Sequence, residues 1–191
     1  MRKISSKYEE GKKRKRDGWI IGIVLIGVMI FSVLGYAFGG NTSSTFEKMN
    51  YNGFVFVKQN DFWVLQKDNF QLIFRYNPLQ TGQIDFVGDS INNYLGKPLY
   101  ISSEYEEPIS EIYTNLFSQN KIVQRIQYAC LEGERCEEGL PIKTCEDNFI
   151  IINEGQIRKI TKEKNCVFIE GNINDLTKLS DGFLFKVFGV T

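Results

Sequence analysis

No histidine occurs anywhere in the 191 residues of this chain. That absence removes Ser-His-Asp and Cys-His activation of a nucleophile, imidazole metal ligation and imidazole pH switching together. The patterns G-x-x-x-x-G-K-[ST], G-x-G-x-x-G and G-x-S-x-G are missing as well, and with them the common phosphate cradles and the strand-turn-helix nucleophile elbow. No two cysteines stand in C-x-x-C spacing, which argues against a zinc knuckle and against a thioredoxin-like redox centre. The 23 basic residues are matched by 23 acidic ones, so the chain as a whole has no excess charge to offer a polyanion.

Only one long apolar run is present, WIIGIVLIGVMIFSVLGYAF from Trp19 to Phe38, with neither charge nor proline. A helix rises about 1.5 Å per residue, so twenty residues cross a hydrocarbon core of about 30 Å. The run is preceded by KKRKRD (Lys12 to Asp17) and followed by the small, polar GGNTSST (Gly39 to Thr45). Basic charge on one side only is the positive-inside pattern. It predicts a basic cytoplasmic tail over 1–17, a transmembrane helix over 18–40, a linker over 41–50 and an extracytoplasmic domain over 51–191. The tail carries a net charge of +5 and the part beyond the span −5. A mildly acidic outer domain argues against nucleic acid as a partner. The partners expected are the lipid bilayer and another cell-surface or membrane protein.

Two rival readings of the run stay open. Gly35 and Ala37 satisfy a small-x-small cleavage pattern, although a run of twenty exceeds the h-region of a signal peptide. Gly18 before the run resembles a pilin-type leader, but Ile23 stands where such leaders carry glutamate. Gly18/Gly22 and Gly35/Gly39 have the spacing of a helix-dimer face, and Asn41-Thr42-Ser43 is formally a glycosylation sequon.

Beyond the span the pattern predicts an α+β domain. Phe54–Lys58, Phe62–Gln66 and Phe70–Tyr76 are aromatic and β-branched runs separated by Gln59-Asn60-Asp61 and Lys67-Asp68-Asn69, an antiparallel meander. Asn77-Pro78 closes it. An irregular stretch with one extended piece (Gln83–Val87) follows, then a helical turn over Ser90–Leu95 capped by Asp89 or Ser90. Leu99–Ser102 reads as a buried strand. A helix begins near Pro108 with Glu106 and Glu107 at its positive end, its apolar stripe being Ile109, Ile112, Tyr113, Leu116 and Phe117. The strand Lys121–Ala129 comes next, with Ile122, Ile126 and Tyr128 on one face. Strand, helix, strand implies a parallel pair within a mixed sheet. Asn148–Asn153 and Asn165–Gly171 are further strands, with a short one over Gln156–Ile160 between them. A C-terminal helix capped by Asn174 or Asp175 carries Leu176, Leu179, Phe183, Leu184 and Val187, and Gly182 weakens it by about 1 kcal/mol.

Cys130, Cys136, Cys145 and Cys166 all lie beyond the span. An even count confined to the exported part is the pattern of disulfides in an oxidising compartment. Of three connectivities, Cys130–Cys136 with Cys145–Cys166 is favoured. The first closes a short acidic loop and the second ties one core strand to the start of the next.

Carboxylates are the chemistry that remains. Glu132, Glu134, Glu137 and Glu138 cluster around Arg135, and Glu146-Asp147 follow. Such a group could run a hydrolysis or hold calcium, but its spacing matches no calcium loop, and a solvated acidic loop accounts for it. No catalytic, cofactor-binding or metal residue is nominated, and no cofactor is implied.

ACLEGERCEEGLPIKTCEDNFIII, NCVFIEG and the closing DGFLFKVFGV together resemble a group of uncharacterised single-pass membrane proteins from small archaeal genomes. The resemblance covers the span and most of the outer domain. It implies membrane anchoring and brings no activity with it. The function expected is a membrane-anchored extracytoplasmic binding or assembly module without catalytic activity. The alternatives are a carboxylate-dependent hydrolase acting outside the membrane and a pilin-like surface subunit.

Overall fold

The computed structural model describes Trp19 and residues 21–32, 47–86, 89–134, 136 and 138–190. The chain divides into two units, Met1–Thr45 and Phe46–Thr191. In the first, residues 21–32 form a helix (α1). Its side chains are apolar all round and solvent-exposed, among them Ile21, Ile23, Leu25, Ile26, Met29 and Phe31. Twelve helical residues measure about 18 Å. Among the described residues no helix is long and apolar enough to cross a membrane; of the stretch 18–40 expected to span, the helix over residues 21–32 and Trp19 are described. The basic tail, residues 33–40 and the sequon lie outside the described residues.

The second unit holds two sheets. The first has the order β1-β2-β3-β4, all antiparallel, with β1 Lys48–Tyr51, β2 Phe54–Gln59, β3 Phe62–Lys67 and β4 Phe70–Phe74. The meander therefore has four strands where three were expected, and its first lies in the stretch read as linker. The turn that joins β1 to β2 is Asn52-Gly53, both at positive φ (49° and 82°), which suits the right-handed twist of a two-residue hairpin. Phe56, Trp63, Leu65, Leu72 and Phe74 bury one face, the alternation the period-2 pattern predicts. β4 stops at Phe74, two residues before the expected end. There Asn77 caps a single helical turn, α2 Pro78–Thr81, through a reciprocal pair of bonds with Gln80.

The second sheet is mixed, in the order β10-β11-β9-β5-β6: β5 Pro98–Ser102, β6 Arg125–Tyr128, β9 Phe149–Glu154, β10 Lys159–Glu163 and β11 Cys166–Gly171. β6, β5, β9 and β11 run parallel and β10 pairs antiparallel with β11. The helix between β5 and β6, α3 Glu106–Tyr113, supplies the parallel connection that the strand-helix-strand pattern called for. β6 is shorter than expected, because the N–H groups of Ile122 and Val123 both donate to the Leu116 C=O, at 2.9 and 3.0 Å. β10 begins three residues later than the short strand foreseen over Gln156–Ile160.

α4, Ile173–Val187, is buried on nearly every side. Asn172 caps it by accepting from the Asn174 N–H, so Asn174 and Asp175, the expected caps, lie inside the first turn. Phe185 packs on Phe56 and Phe74 of the meander, with ring centroids 5.8 and 4.4 Å away. Leu179 lies against Gly171 of β11. The helix therefore stands between the two sheets, which is why it is buried on nearly every side. A Cβ on Gly182 would fall 1.8 Å from Ile84 Cδ1. The glycine that weakens the isolated helix is what lets this segment approach it.

The helix after β5 departs from the α pattern. Beyond Tyr113 it widens into a π turn, Thr114–Ser118, closed by Gln119 N–H donating to Thr114 C=O at 3.0 Å. Tyr113, expected in the apolar stripe, is instead exposed. The widened turn brings two asparagines to the outer edge of β4. Asn115 accepts from the Ile73 N–H (2.9 Å) and donates to its carbonyl (2.7 Å); Asn120 does the same for Gln71 (3.1 and 3.0 Å). Two side-chain amides thus stand in for a neighbouring strand and close the edge.

Candidate functional site

The four cysteines form the favoured pairs, Cys130–Cys136 with Cα atoms 5.8 Å apart and Cys145–Cys166 at 4.9 Å. What they staple is a cover. The segment between β6 and β9 contains one small parallel pair, β7 Cys130–Leu131 and β8 Ile142–Lys143, and supports a second, smaller core. Ile150 and Ile152 of β9 belong to the main core, whereas Phe149 and Ile151 belong to this second one, with Tyr100, Ala129 and Cys166. Alternate residues of one strand are thus buried on opposite faces, which is what a near-continuous apolar strand such as FIII needs. Lys143 of the cover sits 4.3 Å above the Tyr100 ring, and Arg125 donates to the Tyr100 hydroxyl at 3.2 Å. The hydrogen bond from Arg125, then Lys143, pulls the phenol below its ordinary pKa.

The acidic residues of the loop do not gather. Glu132, Glu134 and Glu138 are exposed, and Arg135 and Glu137 lie outside the described residues. Glu146 pairs with Lys164, and Asp147 with Lys143 at 3.5 Å. Among the described residues no group of three acidic or cysteine side chains is placed to hold a metal ion.

A concave feature does lie beside the loop. At the carboxyl ends of β5, β6 and β9 an open groove of about 860 Å³ runs between the strand ends and the cysteine loop. The carboxyl ends of parallel strands are where open sheets of this kind place their ligands. Ser102, Ser103 and Glu104 line it as the chain leaves β5, Asn153 and Glu154 as it leaves β9, and Tyr128 as it leaves β6. The loop contributes Glu134 and Leu140. The Ser103 hydroxyl accepts from the Tyr105 N–H at 3.0 Å, and the Tyr105 hydroxyl donates to Glu154 Oε2 at 3.2 Å. Partial desolvation, then Glu154 and Glu104, push the Tyr105 phenol up. Three carboxylates and two phenols line the space, and among the described residues no lysine or arginine does. The field there favours a cation.

Sequence reasoning passed over these residues. Tyr128, placed on one face with Ile122 and Ile126, is exposed while Ile122 is buried; Glu104 and Glu154 fall just beyond the strands expected over Leu99–Ser102 and Asn148–Asn153. The signal that could have found them is topological, since loops at the carboxyl ends of a parallel pair converge.

A second carboxyl group is buried and sealed. Asp181 of α4 is fully buried and Glu111 of α3 nearly so, with Arg75 beside them. Asp181 Oδ2 accepts from the Tyr76 N–H at 2.8 Å, while its Oδ1 has no hydrogen-bond partner. The Arg75 Nε lies 3.6 Å from Glu111. Burial, reinforced by the charge of Glu111, holds the Asp181 carboxyl well above the usual carboxylate range, and burial raises Glu111 against the pull of Arg75. No substrate reaches the pair. Asp89 is similarly enclosed, 2.8 Å from Lys162 and hydrogen-bonded to Asn93 and Tyr94.

No protein-family model, curated protein or solved structure matches the chain.

Proposed function

We propose that the chain is a membrane-anchored extracytoplasmic module that binds or assembles with another cell-surface or membrane protein and catalyses no reaction. The groove at the ends of the parallel strands carries this reading: it is concave, polar and open, and its hydroxyl and carboxylate groups serve recognition without a nucleophile-base pair. Export agrees with two disulfides. Anchoring agrees with an exposed apolar helix (α1) preceded by eight basic residues in the first 17. The lipid bilayer is then the surroundings of the helix, and the partner belongs to the groove.

The test combines two measurements on protein extracted from membranes. Intact mass after alkylation, with and without reductant, reads the N-terminus and the thiols together. Full length with no alkylation before reduction supports an uncleaved anchor, whereas a mass starting near Phe38 overturns it. A photo-crosslinker at Tyr128 then captures a defined partner; an uncrosslinked monomer counts against the module.

One observation favours the hydrolase reading, that Glu134 of the cysteine loop shares the groove with Glu104 and Glu154. Hydrolysis of a glycoside or ester by the intact chain, abolished by Glu154→Gln, would establish it.

A further inference from the structure

We propose that the groove receives an extended, basic polypeptide segment of the partner protein, which takes the place β5 vacates and pairs with the free edge of β9. This deepens the binding-module reading and rests on it.

The register carries the argument. The ladder between β5 and β9 ends at Ser102 opposite Ile151, but β9 runs on through Ile152, Asn153 and Glu154. On its other side β9 stays paired with β11 as far as Glu154 opposite Gly171. Its inner edge alone loses its neighbour. On the far side β6 stays beside β5, Tyr128 pairing with Ile101 and the Ala129 N–H donating to Ile101 C=O at 3.0 Å. An added strand lies about 4.8 Å from its neighbour, so an extended backbone beside Ile152 to Glu154 lies in the groove that these residues line together with Ile101, Ser102 and Tyr128 to Cys130.

Two of the outer edges of the sheets, β4 and β10, carry a guard. Asn115 and Asn120 close β4, and β10 carries Lys159 and Lys162, a common guard against strand addition. The inner edge of β9 has neither device. Strand addition supplies affinity through main-chain hydrogen bonds and specificity through alternate side chains. Here the side chains are selected by charge. Among the described residues that line the groove none is basic, so lysine or arginine at alternate positions of the incoming strand complements Glu104, Glu134 and Glu154, and Tyr105 and Tyr128 offer faces for the cations.

The test uses the full-length chain in lipid nanodiscs with its disulfides intact. The probe is a fluorescent, end-blocked heptapeptide of alternating lysine and valine, followed by anisotropy. Saturable binding is expected, with no binding of the glutamate-valine counterpart. Affinity falls at least tenfold for the triple variant Glu104→Gln, Glu134→Gln, Glu154→Gln, whose unchanged melting shows that the fold is kept. It falls as far for a peptide N-methylated at alternate residues, which keeps the charge and loses the main-chain donors. Equal binding of both peptides, or an unaffected triple variant, overturns the charge selection. Undiminished binding of the methylated peptide overturns the strand pairing. A protein that crosslinks at Tyr128 in membranes while the lysine-valine peptide fails to bind overturns the proposed partner chemistry and leaves the binding module standing.

Discussion

The two faces of the five-stranded sheet are buried by different means. On one face, helices and the meander supply volume: Phe183, Leu184, Phe185 and Leu179 of α4 fill the space over Ile150, Ile152, Val167 and Ile169. On the other, a loop with only a two-residue strand pair covers Tyr100, Phe149 and Ile151, and two covalent bonds hold it down. A loop cannot gather much apolar area, so it loses more conformational entropy per buried contact than a helix does. Cross-linking reduces that cost by restricting the unfolded chain. Where volume is available the fold uses it, and where it is not the fold uses sulfur. The groove lies at the margin of the loop-covered face, beside the less deeply packed of the two covers.

Four changes bear on this contrast. Phe185→Ala removes the ring wedged between Phe56 and Phe74, and is expected to cost about 3–5 kcal/mol in urea unfolding. A loss below 1 kcal/mol would mean that α4 does not join the sheets. On the loop face, Cys145→Ser with Cys166→Ser opens a bridge of sequence separation 21, for which chain entropy gives about 3 kcal/mol. Its methyl spectrum should move Ile151 and leave Ile150 and Ile152 in place; equal shifts on all three would erase the distinction between the faces. The shorter bridge, separation 6, ends at the exposed Cys136, and Cys130→Ser with Cys136→Ser should cost about 2 kcal/mol. A loss larger than that of the longer bridge would place the anchoring of the loop at its acidic end.

The last change concerns a buried carboxyl pair in the helix-covered face. Asp181 and Glu111 hold a proton more tightly folded than unfolded. Their contribution to stability is therefore complete in acid, below the ordinary carboxylate range, and is lost as the pH rises through that range toward the raised values. Asp181→Asn keeps an acceptor for the Tyr76 N–H and discards the charge. Its stability relative to the parent should climb with pH, by up to about 1.4 kcal/mol per pH unit, in melts from pH 4 to 8. Parallel curves would show that the pair is not protonated on folding.

Much of the fold was legible because its signals are local. Alternation set the strands Phe54–Gln59, Phe62–Lys67 and Phe149–Glu154 to within a residue or two, and the Glu106-Glu107-Pro108 start located α3. The losses have specific causes. β1 is four residues long and mostly polar, and only Asn52-Gly53 marks it. The π turn after Tyr113 has no sequence period of its own; it exists because Asn115 and Asn120 must reach β4. Gly182 reads as a flaw until Ile84 is seen against it. The groove was illegible for a different reason: Glu104, Tyr128, Glu134 and Glu154 come from four separate segments, and each alone looks like an ordinary surface residue.

By itself, then, the sequence determined what short-range physics controls: an apolar stretch behind a basic N-terminal segment, most of the strand and helix segments, and an even count of cysteines whose pairing it favoured without fixing. Tertiary structure decided what depends on which segments meet. It chose α4 as the helix between two sheets, put Asp181 and Glu111 together out of reach of water, and ended β5 before β9. That last difference in length leaves the edge of β9 open, because a strand's hydrogen-bonding groups are satisfied only by whatever lies beside it, and no single segment encodes its neighbour.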